Sequence, residues 1–113
     1  MKYKIAIGNK IDVDVIGKIE EVGGSPKNFK FKLKCERLGQ EEMFQRMENK
    51  NESYKEFIES VTTGWSDQRL VLNDDDTPAD YSPDALVALM SIAGMPSFLW
   101  NAYLKAVAVK EKN

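Results

Sequence analysis

The apolar spacing of this chain changes near Gly39. Before it, hydrophobic residues recur at every second position, and after it they recur at helical intervals. The segment Phe29-Lys30-Phe31-Lys32-Leu33-Lys34-Cys35-Glu36 alternates apolar and charged side chains at every step, the pattern of a strand with one dry and one wet face. Asp12 to Val15 alternates too, and Ile16 to Glu20 continues the run. Gly23-Gly24-Ser25-Pro26 then supplies a turn, so these residues predict an antiparallel hairpin. Tyr3, Ile5 and Ile7 alternate with Lys4 and Ala6 and predict a shorter first strand ended by Gly8-Asn9. A sheet this small needs a cover.

Helices supply it. Met43, Phe44, Met47, Tyr54, Phe57, Ile58 and Val61 share one helical face, interrupted by the poor helix formers around Asn49-Lys50-Asn51, which leaves open one kinked helix or two. Gly64 is placed to end this region in a left-handed C′ position. Leu70-Val71-Leu72 reads as a fourth strand or a core-anchored turn, and Asn73 to Asp80 as a solvated acidic loop. Ser82 reads as an N-cap followed by Pro83 at the first helical position and Asp84 in the first turn. Leu86, Leu89, Met90 and Ala93 form that helix's stripe, Gly94 stops it, and Pro96 opens a last helix with Leu99, Tyr103 and Ala106 inward. Lys110 to Asn113 should fray.

The expectation is an α+β fold: a small N-terminal antiparallel sheet, hairpin plus a short strand, covered by a C-terminal unit of three to four helices. At 113 residues this is one domain, 1–113, with strands mainly over 1–37 and helices mainly over 39–110. A content of 42% hydrophobic and 30% charged residues suits a globular chain. Net charge of −2 with interspersed signs argues against a general polyanion binder, and no apolar run reaches the roughly eighteen residues a membrane span needs. The start of the chain lacks the apolar run of a signal peptide, and the single Cys35 has no intrachain disulfide partner, which fits a reducing cytoplasm.

Chemistry is sparse. The absence of histidine removes the usual general base, the usual metal ligand and the Ser-His and Cys-His arrangements. Cys35 shares a face with Phe31 and Leu33 and reads as a small core hydrophobe. Asp74, Asp75 and Asp76 fail the EF-hand pattern, since neither the required glycine nor the closing glutamate is in place. Gly23-Gly24 lacks a phosphate-binding context. No catalytic, metal or cofactor residue is expected, and the chain reads as a binding protein.

The candidate contacts are of two kinds. Lys30, Lys32 and Lys34 line one strand face, suited to protecting an edge strand, meeting an acidic protein surface or contacting nucleic acid, although no aromatic residue shares that face to stack a base. Trp65 reads as core under the C-terminal helices. Trp100 lies off its helix's main stripe and could serve as core edge or partner anchor. Val87, Ile92, Val107 and Val109 exceed what one buried face needs, which predicts self-association.

The order of these segments resembles the phage tail assembly chaperones of long-tailed bacteriophages and prophages. The resemblance is carried by the lysine-rich strand, Arg37-Leu38-Gly39-Gln40-Glu41-Glu42, the run from Phe57 to Gly64-Trp65, the acidic loop ending near Pro78, Tyr81-Ser82-Pro83-Asp84-Ala85-Leu86, and Ala102-Tyr103. It covers most of the chain. The chain departs from that family in Ser66-Asp67-Gln68-Arg69 after the tryptophan and in its unusually basic strand. The resemblance implies a non-enzymatic protein of the host bacterial cytoplasm, absent from the finished virion. It implies binding to the tape-measure protein, keeping it soluble while tail-tube subunits polymerise, with possible contact to the tube protein and no nucleic-acid or membrane partner. Two other readings compete: a structural or terminator-like tail component retained in the particle, and a small nucleic-acid-binding regulator using the strand lysines.

Overall fold

A computed structural model describes residues 2–112. Its α+β fold has three antiparallel strands, β1 (Lys10–Ile19), β2 (Lys27–Glu36) and β3 (Thr62–Ser66), in spatial order β1-β2-β3. Four helices accompany them: α1 (Gln40–Glu48), α2 (Tyr54–Val61), α3 (Pro83–Met90) and α4 (Met95–Val107).

The hairpin forms as its alternation predicts. Val13 faces Leu33 and Val15 faces Phe31 across the ladder, and all four side chains are buried. Gly23 and Gly24 both have positive φ, 94° and 81°, the conformation for which glycine suits the turn. Gly17 is needed for a different reason. A Cβ there would sit 2.7 Å from Phe29 Cζ and 2.8 Å from Phe98 Cζ, so the bare backbone makes room for an edge-to-face pair of rings.

The third strand is not the one the alternation at the N-terminus predicts. Residues 2–9 form no strand, and Tyr3 and Ile5 are 81% and 79% exposed. Period-2 spacing tells which side chains would share a face; it does not supply a neighbouring strand. That place is taken by Thr62–Ser66, which pairs with β2 through Leu33↔Trp65 and Lys34↔Gly64. Gly64 is therefore a strand residue, without the left-handed φ expected of a C′ glycine. The β-branched Thr62 turns the chain from helix into strand with φ −84° and ψ 131°. Its N–H and its Oγ1 both donate to the Ile58 carbonyl, so the end of α2 is satisfied without a glycine.

The helical run between 40 and 61 is two helices. Asn49 ends α1, and Ser53 starts α2 with a complete capping box in which its hydroxyl accepts from Glu56 N–H while the Glu56 carboxylate accepts from Ser53 N–H. Ser82 caps α3 by accepting from Ala85 N–H. Gly94, with φ 84°, separates α3 from α4, which meet at a bend of 109°. The helix α3 stops at Met90, so Ala93 is exposed rather than part of its stripe. Leu70-Val71-Leu72 is a core-anchored turn with one isolated bridge, Leu72 to Pro78, and not a strand. Lys110 to Lys112 lie outside α4, and the fraying expected at Asn113 lies outside the described residues.

The core lies between the inner sheet face and the helices. Val13, Val15, Phe31, Leu33 and Cys35 meet Phe57, Ile58, Val61, Leu86, Leu89, Leu99 and Tyr103 in one buried cluster. Tyr103 is wholly buried yet polar at its tip, where its hydroxyl donates to the Glu36 carbonyl at 2.8 Å and accepts from Leu38 N–H. Among the described residues, no single helix is long and apolar enough to cross a membrane.

Candidate partner-binding groove

The helical side carries a groove where α1, α2 and α4 converge, with Met47, Tyr54, Phe57 and Trp100 as its apolar lining and Arg46, Asn49, Glu52 and Ser53 as its polar one. The short helix α1 buries only Met43, so Phe44 and Met47 stand out from the body, 57% and 58% exposed. The capping box fixes the start of α2 and sets Tyr54 at its first turn, half-exposed, with Phe57 buried one turn on. From α4, Trp100 stacks parallel to Tyr54, with centroids 5.4 Å apart and planes at 15°. It meets Phe57 edge-to-face at 4.7 Å, and Phe57 continues the aromatic chain to Tyr103 at 5.3 Å.

Arg46 forms the back of this groove. Its guanidinium lies 4.6 Å above the Phe57 ring, its Nε donates to Glu52 Oε1 at 3.0 Å, and its Nη2 donates to Glu52 and to Ser60 Oγ. One side chain thus ties α1, the connecting loop and α2 together. The Glu52 hydrogen bonds push the Arg46 pKa further above its ordinary value, and the charge persists against an aromatic face. The groove floor is thereby pre-arranged, with Met47 exposed at its rim.

The residues expected to contact partners do not gather in one place. Trp100 lies in the groove, half-buried and held by Tyr54 and Phe57. Val87 is exposed on α3, whereas Ile92 and Val107 are half-buried against the core and offer less free surface than their sequence positions suggest. Val109 is fully exposed beyond α4. Lys30, Lys32 and Lys34 lie on the outer face of the sheet, away from the groove.

Those lysines do not protect an edge. The strand β2 is the central one, and Lys32 and Lys34 face Asp14 and Asp12 on β1. Lys32 Nζ lies 2.8 Å from Asp14 Oδ1, and that contact lowers the Asp14 pKa and raises that of Lys32. The basic stripe visible in the sequence is thus interleaved with acid by its hairpin partner, through a register that sets Asp14 opposite Lys32 and Asp12 opposite Lys34.

Trp65 is half-buried on β3 and packed against the core cluster, and it also anchors the acidic loop, packing edge-to-face on Tyr81 at 5.4 Å and donating from Nε1 to the Ala79 carbonyl. Beside it Gln68 is buried and uses its whole amide. Nε2 donates to the Val71 and Ala79 carbonyls, and Oε1 accepts from the Leu70 and Val71 N–H groups. Sequence reasoning missed Gln68, because nothing in its neighbours distinguishes it from a solvated glutamine. The loop itself closes with Asp75 accepting from the Thr77 N–H and hydroxyl, which lowers the Asp75 pKa. Among the described residues no three histidine, cysteine or acidic side chains are grouped to hold a metal ion. Cys35 is buried against Thr62 Oγ1 at 3.7 Å, and burial pushes its thiol up to about 11.

Compared with protein-family models, curated proteins and solved structures, the chain matches none.

Proposed function

We propose that this protein is a non-enzymatic phage tail assembly chaperone that self-associates and holds the tape-measure protein in a soluble state while the tail tube polymerises. The observation that carries this reading is the groove lined by Met47, Tyr54, Phe57 and Trp100, with Phe44 exposed on the same helix as Met47, apolar surface left open on the helical side beyond the buried core. A tape-measure protein is a long helical rod, and its apolar stripe needs temporary cover before the tube encloses it. Helix-in-groove docking suits that need, since anchors at one-turn spacing can seat between the stacked aromatics and the exposed Met47. The resemblance in segment order supports the same partner and places the protein in the host cytoplasm, with the tube protein as a further contact.

Co-expression with a tape-measure protein tests the reading. The tape-measure protein should be soluble and co-purify when the chaperone is present, and the chaperone should be missing from purified particles by mass spectrometry. Its retention in the particle would favour a structural tail component instead.

A further inference from the structure

The strand β1 is ten residues long and lies at the edge of the sheet, and no described segment pairs with its outer side. The ladder fixes which backbone groups are left over. Arg37 N–H donates to the Asn9 carbonyl at 2.6 Å, so Asn9 and the odd-numbered residues after it turn their hydrogen-bonding groups toward β2. Lys10, Asp12, Asp14, Ile16 and Lys18 turn theirs to the free edge. A bare edge of this length is a template for another strand.

Charges on an edge ordinarily discourage such pairing, but here their order is self-complementary. The outer face of β1 and the residue beyond it reads Lys10, Asp12, Asp14, Ile16, Lys18, Glu20. Laid antiparallel on itself about Val15, this series sets Lys10 against Glu20, Asp12 against Lys18 and Asp14 against Ile16, each contact occurring twice. All these positions are even-numbered, as hydrogen-bonded pairs on this edge must be. The neighbouring allowed registers are poorer: two residues one way sets Lys10 against Lys18 and Asp14 against its twin, and two residues the other way keeps Asp14 against Lys18 and Ile16 against its twin but sets Asp12 against Glu20 and leaves Lys10 opposite Val22. On the inner face the favoured register brings Ile11 to Ile19, Val13 to Gly17 and Val15 to itself.

The middle of this edge is also where apolar surface is left open. Ile16, 59% exposed, and Phe98, 39% exposed, line a groove between β1 and α4 together with Asp14, Ala102 and Lys105. A second strand laid along the edge covers it.

We infer that the free edge of β1 pairs with the same edge of a second copy of this chain, with Val15 on the twofold axis, joining two three-stranded sheets into one continuous sheet. This gives the self-association in the proposed function a surface, and it is independent of the tape-measure half of that reading. It leaves the α1–α2–α4 groove open in both copies.

Sedimentation velocity over a concentration series tests it. The native chain should form a dimer. Lys18→Glu, which sets acid against Asp12 twice, should raise the dimer dissociation constant about tenfold or more, and adding Asp12→Lys should bring it back, with circular dichroism checking that each variant folds. Independently, Asp14→Cys combined with Ile16→Cys should give a disulfide-linked dimer on oxidation, because those positions lie opposite one another at a spacing a disulfide can bridge. A native chain that stays monomeric throughout, a dimer indifferent to Lys18→Glu, or one lost on removing residues 2–8 while insensitive to the edge charges would overturn the inference. Because tape-measure solubility is assayed on groove variants, failure of that assay and failure of this one are distinguishable.

Discussion

The Tyr103 hydroxyl donates to the Glu36 carbonyl at 2.8 Å, joining the middle of the last helix to the last residue of the central strand. The same oxygen accepts from Leu38 N–H, so one buried side chain satisfies backbone groups on both sides of the exit from β2. Tyr103→Phe keeps the ring and removes both bonds. It should cost about 1–3 kcal/mol, because a partly buried donor and acceptor lose their partner. Urea denaturation should show a lower midpoint at unchanged slope.

The capping box of α2 predicts an acid-side dependence. Hydrogen bonds from Ser53 lower the Glu56 pKa from its ordinary 4.5, so the folded state favours the carboxylate. A lowered carboxylate pKa stabilises the fold above 4.5 and loses that contribution as pH falls through the folded value. Ser53→Ala should cost about 1 kcal/mol at neutral pH. It should also lessen the decline in stability on acidification below 4.5, measured as thermal midpoint against pH beside the native chain.

Cys35 should be silent in the folded protein. With its thiol raised to about 11 and buried beside Thr62, it offers almost no thiolate at neutral pH. A chromogenic disulfide reagent should report no thiol in native buffer and one per chain in denaturant. Because its ordinary value is 9.0, the unfolded chain gives up this proton first as pH rises, so stability should fall between 9.0 and about 11. Cys35→Ala should lessen that alkaline slope, the rest coming from the Tyr81 and Tyr103 phenols, which burial also raises.

The groove rim should separate binding from folding. Phe44 and Met47 are more than half exposed, so Phe44→Ser and Met47→Ser should each change stability by less than about 0.5 kcal/mol. Together they should sharply reduce the soluble fraction of co-expressed tape-measure protein. Arg46→Ala should differ from both, lowering stability and binding together, since Arg46 holds Glu52, Ser60 and the Phe57 face at once.

Local signals settled much of this molecule before any tertiary contact was considered. Alternation from Phe29 to Glu36 specifies a strand and its buried face, because side chains along a strand point to opposite sides whatever lies next to it. Ser82-Pro83 starts a helix by satisfying, or lacking, backbone N–H groups that have no helical partner. The burial of Cys35 follows from the same short-range logic, whereas the poor helix formers around Asn49 left one kinked helix or two open and the structure has two. Pairing and neighbourhood were decided elsewhere. Tyr3, Ile5 and Ile7 alternate as cleanly as a strand but form none, while Thr62–Ser66, with no alternation to mark it, is taken into the sheet by hydrogen bonds to β2. The pairing of β3 with the far side of β2 made the lysine-rich strand central, and the hairpin register set Asp12 and Asp14 against its lysines. The meeting of Tyr54, Phe57 and Trp100, drawn from two helices far apart in sequence, made a groove that no single helical stripe contains. Sequence fixes what each segment can bury, since that depends on spacing along the chain; which segments meet depends on the packing of the whole core, and the groove and the free edge of β1 exist only at that level.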